Sequence, residues 1–391
     1  MPSTDEMLDG LADPRAWRAT PASDAKVARL HALALAGLDA QTTGEEDATR
    51  EDMRRALVSL IRSGDGGALA KALTEAATLP AARYLWRSLE AAERDAAASA
   101  GALATTLFAI PVVVVASLTS EGAHSMLPAL LPQREGLAAL LREHRALEGC
   151  EAFALATALA GAEAIDLPRM PALLEQCRIG DGPAAESLPP LAVPAADLDL
   201  RGAGERVFLR FVVGVAVTAA GFDPLHRGEV GRWGMPFAQR LSAGLAVPGA
   251  SVLALPRAPT RLVAALRVGR TAQREIGAQV FASNAIRRLR ASVGEPTAVI
   301  SAHRADDAPG GGELRVSLSS PFEPRDAEGF RCPLHPYETV RDVAAMLVSL
   351  LDDCRVSDIR VQPGVHPDVD ATTGLRLLFK QTDAGVRFRC R

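Results

Sequence analysis

The chain has 391 residues, of which 48% are apolar, 4% aromatic and 23% charged, and its formal net charge is −4. That apolar content excludes a disordered chain, and five cysteines are too sparse for a disulfide-built miniprotein. The near-neutral total also speaks against a general nucleic-acid binder, whose domain is normally strongly basic.

The charge is unevenly placed. Residues 1–200 carry −11 and residues 201–391 carry +7. Lys26, Lys71 and Lys380 are the only lysines, so arginine supplies nearly all the cations. Arginine forms bidentate forks to carboxylate and phosphate. Codon bias in a GC-rich genome gives the same arginine and alanine richness, so number alone marks no anion site. Cys150, Cys177, Cys332, Cys354 and Cys390 include no C-x-x-C pair and read as free thiols of a reducing compartment. The start Met1-Pro2-Ser3-Thr4-Asp5-Glu6 is acidic and lacks the basic and apolar regions of a secretory signal. A cytoplasmic, bacterial-type protein is expected.

Residues 1–20 are polar and rich in breakers, and read as a flexible arm. Helices follow. Val27, Leu30, Leu33, Leu35 and Leu38 set a helical period over 25–40, and Thr49-x-x-Asp52 resembles a capping box opening a helix to about residue 62. Further helices are expected over 67–78 and 80–98. The β-branched run Phe108–Ala116 reads as a buried strand with Pro111 near its start or at a bulge. Its strong apolar core, Leu107–Ala116, is too short for a membrane span. Helices over about 134–147 and 150–164 complete a helix-rich region from 21 to 180. Glycines and prolines crowd 181–204, which reads as a linker and domain boundary.

The C-terminal region, 205–391, reads as α+β. In Val207–Thr218 every odd position from Val207 to Val217 is apolar, the period of a strand. A short strand over 251–255 precedes a helix over about 271–293, whose apolar face holds Ala278, Phe281, Ala282, Ala285, Ile286 and Leu289. Strands over 297–302 and 313–318 form a hairpin. A helix over about 338–353 then leads to strands over 358–362, 374–380 and 386–390. The helix-plus-hairpin pattern thus occurs twice: Leu289, Ile300 and Leu314 recur as Leu350, Val361 and Leu375, each 61 residues later. A true duplication would set both helices on one shared sheet.

No Walker A loop, H-E-x-x-H, G-x-S-x-G or paired C-x-x-C is present. The densest catalytic-type cluster follows the strongest strand. There Asp223, His226 and Glu229 could move or orient a proton, and Arg227, Arg232 and Trp233 could hold an anionic ligand. His303 with Asp306 and Asp307, His366 with Asp368 and Asp370, and Cys332 with His335 offer metal-ligand types, but turn chemistry and core packing account for them, and no metal or cofactor is expected. Eight arginines, among them Arg270, Arg274, Arg287 and Arg290, stand against Glu275 alone over 257–290. Base-stacking aromatics are lacking there, so an acidic protein surface is the expected partner, most economically the acidic first half.

The expectation is therefore a non-enzymatic accessory or assembly protein working through protein–protein contacts or self-association, with no membrane segment. One alternative is an enzyme acting on an anionic small molecule at 223–233. The other is a nucleic-acid binder using 257–290.

Overall fold

The computed structural model describes residues 3–15, 24–96, 99–100, 103–118, 124–147, 149–177, 191–195, 198–201, 204–219, 223–225, 230–292, 294–305, 311–319, 327–366, 377–382 and 385–390. The fold is mixed α+β. In chain order the elements are α1 (Thr4–Met7), α2 (Ala25–Asp39), α3 (Thr43–Arg62), α4 (Gly66–Thr74), α5 (Leu79–Ala96), β1 (Ser99–Ala100), β2 (Leu103–Leu118), β3 (His124–Leu127), α6 (Arg134–Glu143), β4 (Cys150–Ala160), α7 (Met170–Gln176), β5 (Leu198–Arg201), β6 (Gly204–Ala219), α8 (Val230–Leu245), β7 (Ala250–Pro256), α9 (Leu262–Ser292), β8 (Thr297–Arg304), β9 (Gly312–Ser319), β10 (Ala327–Pro333), α10 (Val340–Asp353), β11 (Asp358–His366), β12 (Leu377–Thr382) and β13 (Gly385–Cys390).

Two compact units result. The larger comprises Ala22–Leu73 and Tyr84–Gln273; the smaller comprises Met1–Pro21, Thr74–Arg83 and Arg274–Arg391. The expected boundary at 181–204 does not separate them. β6, which follows that stretch, is paired along its whole length with β2, from Leu103↔Ala219 to Leu118↔Gly204. A sixteen-residue ladder ties the two sides of the proline-rich stretch into one sheet.

In the larger unit, β6 lies between β2 and β4, and β7 pairs with the far half of β2. Phe108, Val112, Val114, Phe153, Val212, Trp233, Phe237 and Leu241 share the core under this sheet. Pro111 sits where the β7 ladder ends, so its missing N–H deprives no ladder bond there, and its carbonyl accepts Arg257 N–H at 2.8 Å. Gly214 is required opposite Phe108: a Cβ there would lie 2.5 Å from Phe108 Cζ. Ser242 Oγ on α8 accepts Ala254 N–H at 2.8 Å, occupying a donor on strand β7. Among the described residues no helix is long and apolar enough to cross a membrane.

Two expectations change here. Residues 150–160 form strand β4, not a helix. Alanine richness and the Leu155–Leu159 spacing mimic a helix, but Phe153, Leu155 and Leu159 also keep a period of two, and pairing with β6 decides the outcome. Helix α3 starts upstream of Thr49, because Thr42 and Glu45 form a reciprocal capping box, with Thr42 Oγ1 accepting Glu45 N–H at 3.2 Å and Glu45 Oε2 accepting Thr42 N–H at 3.2 Å.

In the smaller unit six strands run in the order β11-β8-β9-β10-β13-β12. β8, β9 and β10 are an antiparallel meander. β11 lies parallel to β8, with Asp358 opposite Thr297 and Val361 opposite Ile300, so the pairing register equals the 61-residue spacing of the sequence repeat. The C-terminal part of α9 and all of α10 share one core with the sheet face made by Ala298, Ile300, Ala302, Leu314, Val316 and Leu318. Leu375 of the repeat lies outside the described residues.

The expected flexible arm is not one over residues 3–15. Leu8 is 4% exposed within the core of the smaller unit. Gly10 O accepts Gly364 N–H at 2.8 Å, and the Arg15 guanidinium donates to His335 O at 2.9 Å. The polar composition hid an apolar anchor, Leu8 flanked by Met7 and Leu11, and a buried arginine.

Candidate functional site

Of the cluster expected at 223–233, Asp223, Arg232 and Trp233 lie among the described residues. Asp223 precedes a turn at 224–225, accepts Leu225 N–H at 3.2 Å and pairs with Arg261 at 3.2 Å. Trp233 is not a loop anchor for ligand. It is 1% exposed inside α8 and meets Phe237 edge-on at 5.4 Å. Arg232 is exposed on the first turn of α8. His226, Arg227 and Glu229 lie outside the described residues, as do Asp306, Asp307, Asp368 and Asp370.

The arginines of 257–290 are largely committed to carboxylates within their own unit. Arg267 pairs with Glu90 at 2.7 Å, Arg274 with Glu338 through two bonds of 2.5 and 2.7 Å, and Arg290 with Glu295 at 3.0 Å. Arg288 pairs with Glu328. Of these partners only Glu90 belongs to residues 1–200. Among the described residues, the acidic first half therefore supplies one of these four carboxylates. Local packing places nearer carboxylates against the guanidiniums. Arg270 is half-buried on α9.

Arg274 and Glu338 belong to a buried polar group at one end of the smaller sheet. Glu338 Oε2 also accepts His335 N–H at 2.9 Å. Burial alone would raise the Glu338 carboxyl, but the Arg274 hydrogen bonds and charge outweigh it and hold the group below the usual carboxylate range. Cys332, which with His335 offers ligand types for only half a metal site, is 1% exposed in the core, and burial pushes its thiol up to about 12. Cys150 and Cys177 are pushed up by burial as well, to about 11 and about 12.

The sheet face opposite the helices holds a second polar group, of which sequence reasoning named His303 and His366 but missed Glu313, Arg315 and Arg331. Glu313 is 0% exposed and accepts Arg315 Nε at 2.5 Å and Arg331 Nε at 2.6 Å. Ser301 Oγ lies 2.8 Å from His303 Nε2, and the His303 and His366 rings are 5.6 Å apart on adjacent parallel strands. The signal was present: Glu313, Arg315 and Ser317 alternate with Leu314, Val316 and Leu318. Among the described residues no three His, Cys, Asp or Glu side chains converge as a metal site.

What the structure does bring together from the expected ligand residues is Arg287 and Arg290. Both line a cavity of about 750 Å³ between α9 and α10, wholly within the smaller unit. Its floor is Ile286, Met346 and Leu350. Its rims carry Glu275, Arg287 and Arg290 on α9 and Ser349 and Asp353 on α10. Cys354 closes one end, its Sγ 3.9 Å from Ser283 Oγ. The helices were legible in the sequence, but the groove depends on α9 and α10 lying side by side, which only the parallel pairing of β8 with β11 fixes.

A smaller cavity of about 330 Å³ is lined by Arg142, Arg145 and Phe153, with Arg142 stacked 4.9 Å above the Phe153 ring. Those cations flank the C-terminus of α6, where they offset the helix dipole. Comparison of the chain with known protein families, with curated proteins and with solved structures finds no match.

Proposed function

We propose that the chain is a non-enzymatic accessory or assembly protein that binds a partner protein in the groove between α9 and α10. The observation that carries this reading is the composition of that groove, an apolar floor bordered by charged and hydroxyl side chains. Apolar contact supplies affinity and the rim supplies selectivity in such surfaces. The floor residues also pack on the core behind them, so the groove is backed by rigid elements. Arg287 supports the reading further. It is exposed, and its recorded partner is the neutral amide oxygen of Asn284 at 2.6 Å, which leaves its charge available.

Panning displayed sixteen-residue peptides against the full chain tests this. Peptides are expected to be enriched that lose binding on Leu350→Asp and keep it on Arg62→Glu, a change on α3 in the other unit. Ser349→Trp, which fills the groove from an exposed position, is expected to act like Leu350→Asp without disturbing the core. Enrichment that survives both groove variants, or no enrichment at all, contradicts the reading.

A further inference from the structure

Resting on that reading, we infer that the occupant of the groove is an amphipathic helix, antiparallel to α9 and α10, with acidic residues in its first turn.

The direction of the two walls comes first. α9 and α10 each lead through a short connection into β8 and β11, and those strands are parallel. The two helices therefore run the same way and finish at the same end. Arg290 donates to Arg355 O at 2.8 Å across that end. From Glu275 to Arg290 the α9 wall extends about 22 Å at the rise of an α-helix, the length of four helical turns. The facing α10 wall, Met346 to Cys354, extends about 12 Å, and a groove with such walls accepts the apolar stripe of a third helix, with side chains repeating at three and four residues. Ser283 and Ser349, one on each wall, are small enough to let another backbone approach closely.

Charge then sets the orientation. The carboxyl ends of two helices carry partial negative charge where they finish together. The rim there has Arg287, whose partner is the neutral Asn284 amide, and Arg290, which pairs with Glu295, beside the carboxylate of Asp353, while Glu275 stands at the opposite end. An incoming helix that lies antiparallel sets its positive N-terminal dipole against those carboxyl ends. Its first turn is where acidic side chains stabilise a helix, and there they meet the Arg287 guanidinium. A basic residue near its C-terminus meets Glu275. A parallel helix would instead set a third carboxyl end beside the first two.

Two synthetic eighteen-residue peptides test the orientation. They share one apolar stripe; one has acids in the first turn and bases in the last, and the other has the reverse. Binding to the full chain is read by fluorescence anisotropy. Because acids first also favour the free helix, the deciding measurement is the crossover with Arg287→Glu, an exposed change confirmed to leave the melting curve intact. This variant is expected to weaken the acid-first peptide by about fivefold, the scale of exposed ion pairs, and to leave the reversed peptide unchanged or tighter. Equal effects on both peptides, or tighter binding of the reversed peptide to the unaltered chain, overturn the inference. If Leu350→Asp still abolishes both in that case, the groove reading stands while the orientation fails. If neither peptide binds, both fail.

Discussion

Replacing Glu313 by alanine is expected to destabilise the smaller unit by about 3–5 kcal/mol, the range for removing one partner of a buried ion pair. Glu313 is fully buried, and the side chain of Arg315, which donates to it at 2.5 Å, is 4% exposed. Arg331, 27% exposed, donates to the other carboxylate oxygen. Without the carboxylate, the Arg315 guanidinium stays in a poorly solvated place and loses the charge and hydrogen bond of Glu313. The pair need not itself be stabilising relative to apolar residues of similar volume. The double change Glu313→Leu with Arg315→Met is therefore expected to recover most of the loss. Urea denaturation followed by far-UV circular dichroism measures both. A single-variant loss below about 1 kcal/mol, the cost of an ordinary hydrogen bond, would show that the sheet face is solvated and that Glu313 is not its anchor.

Glu93 is expected to make stability fall as pH rises through neutrality. Its carboxylate is 1% exposed and accepts Leu262 N–H at 2.8 Å and Val263 N–H at 3.0 Å at the first turn of α9. Burial raises its pKa to about 7 from 4.5, against the opposing pull of those backbone donors and of the Arg261 charge. Between those two values the folded chain holds a proton that the unfolded chain has released. Stability is therefore complete below the unfolded value and declines as pH passes through the folded one, by about 3 kcal/mol in all. Glu338 and Asp65 are shifted the other way, and their contribution is lost only in more acidic solution. Comparing the change in unfolding free energy between about pH 5 and about pH 8 in the unaltered chain and in Glu93→Gln isolates Glu93. The unaltered chain should lose stability over that interval, and Glu93→Gln should flatten the change. An equal slope in both proteins would place the responsible proton elsewhere.

How far the sequence reaches can be judged from particular elements. The alternation of Val207–Val217 is legible because one dominant period survives along a whole strand. Residues 150–160 are not, because alanine suits either structure and the outcome depends on β6 as a neighbour. The repeat at 61 residues was visible as Leu289/Leu350 and Ile300/Val361, yet its structural meaning is a strand register, Ile300 beside Val361. The domain boundary failed for a similar reason: proline and glycine mark a long connection, and strand pairing can bridge one. At the candidate site, Arg287 and Arg290 were legible as charges on an α9 face turned away from Ala282, Ala285 and Leu289. Their placement beside Met346, Leu350 and Asp353 was not, since no local signal sets two distant helices side by side. The Arg274–Glu338 and Glu313–Arg315–Arg331 groups were missed because charged residues are read by default as exposed, and burial with a paired counter-ion leaves no separate mark in the sequence.

The central claim is that the α9–α10 groove is where a partner protein binds, and Cys354 reports on it directly. The thiol is half-buried at one end of the groove, whereas Cys177 and Cys332 are buried. Alkylation of Cys354, followed by mass spectrometry of its tryptic peptide, is expected to slow by about tenfold when the acid-first helical peptide is bound at saturation, as for a site whose open fraction is set by ligand occupancy. A saturated complex in which Cys354 reacts at the rate of the free chain would contradict the account, because the peptide would then be bound somewhere other than the groove.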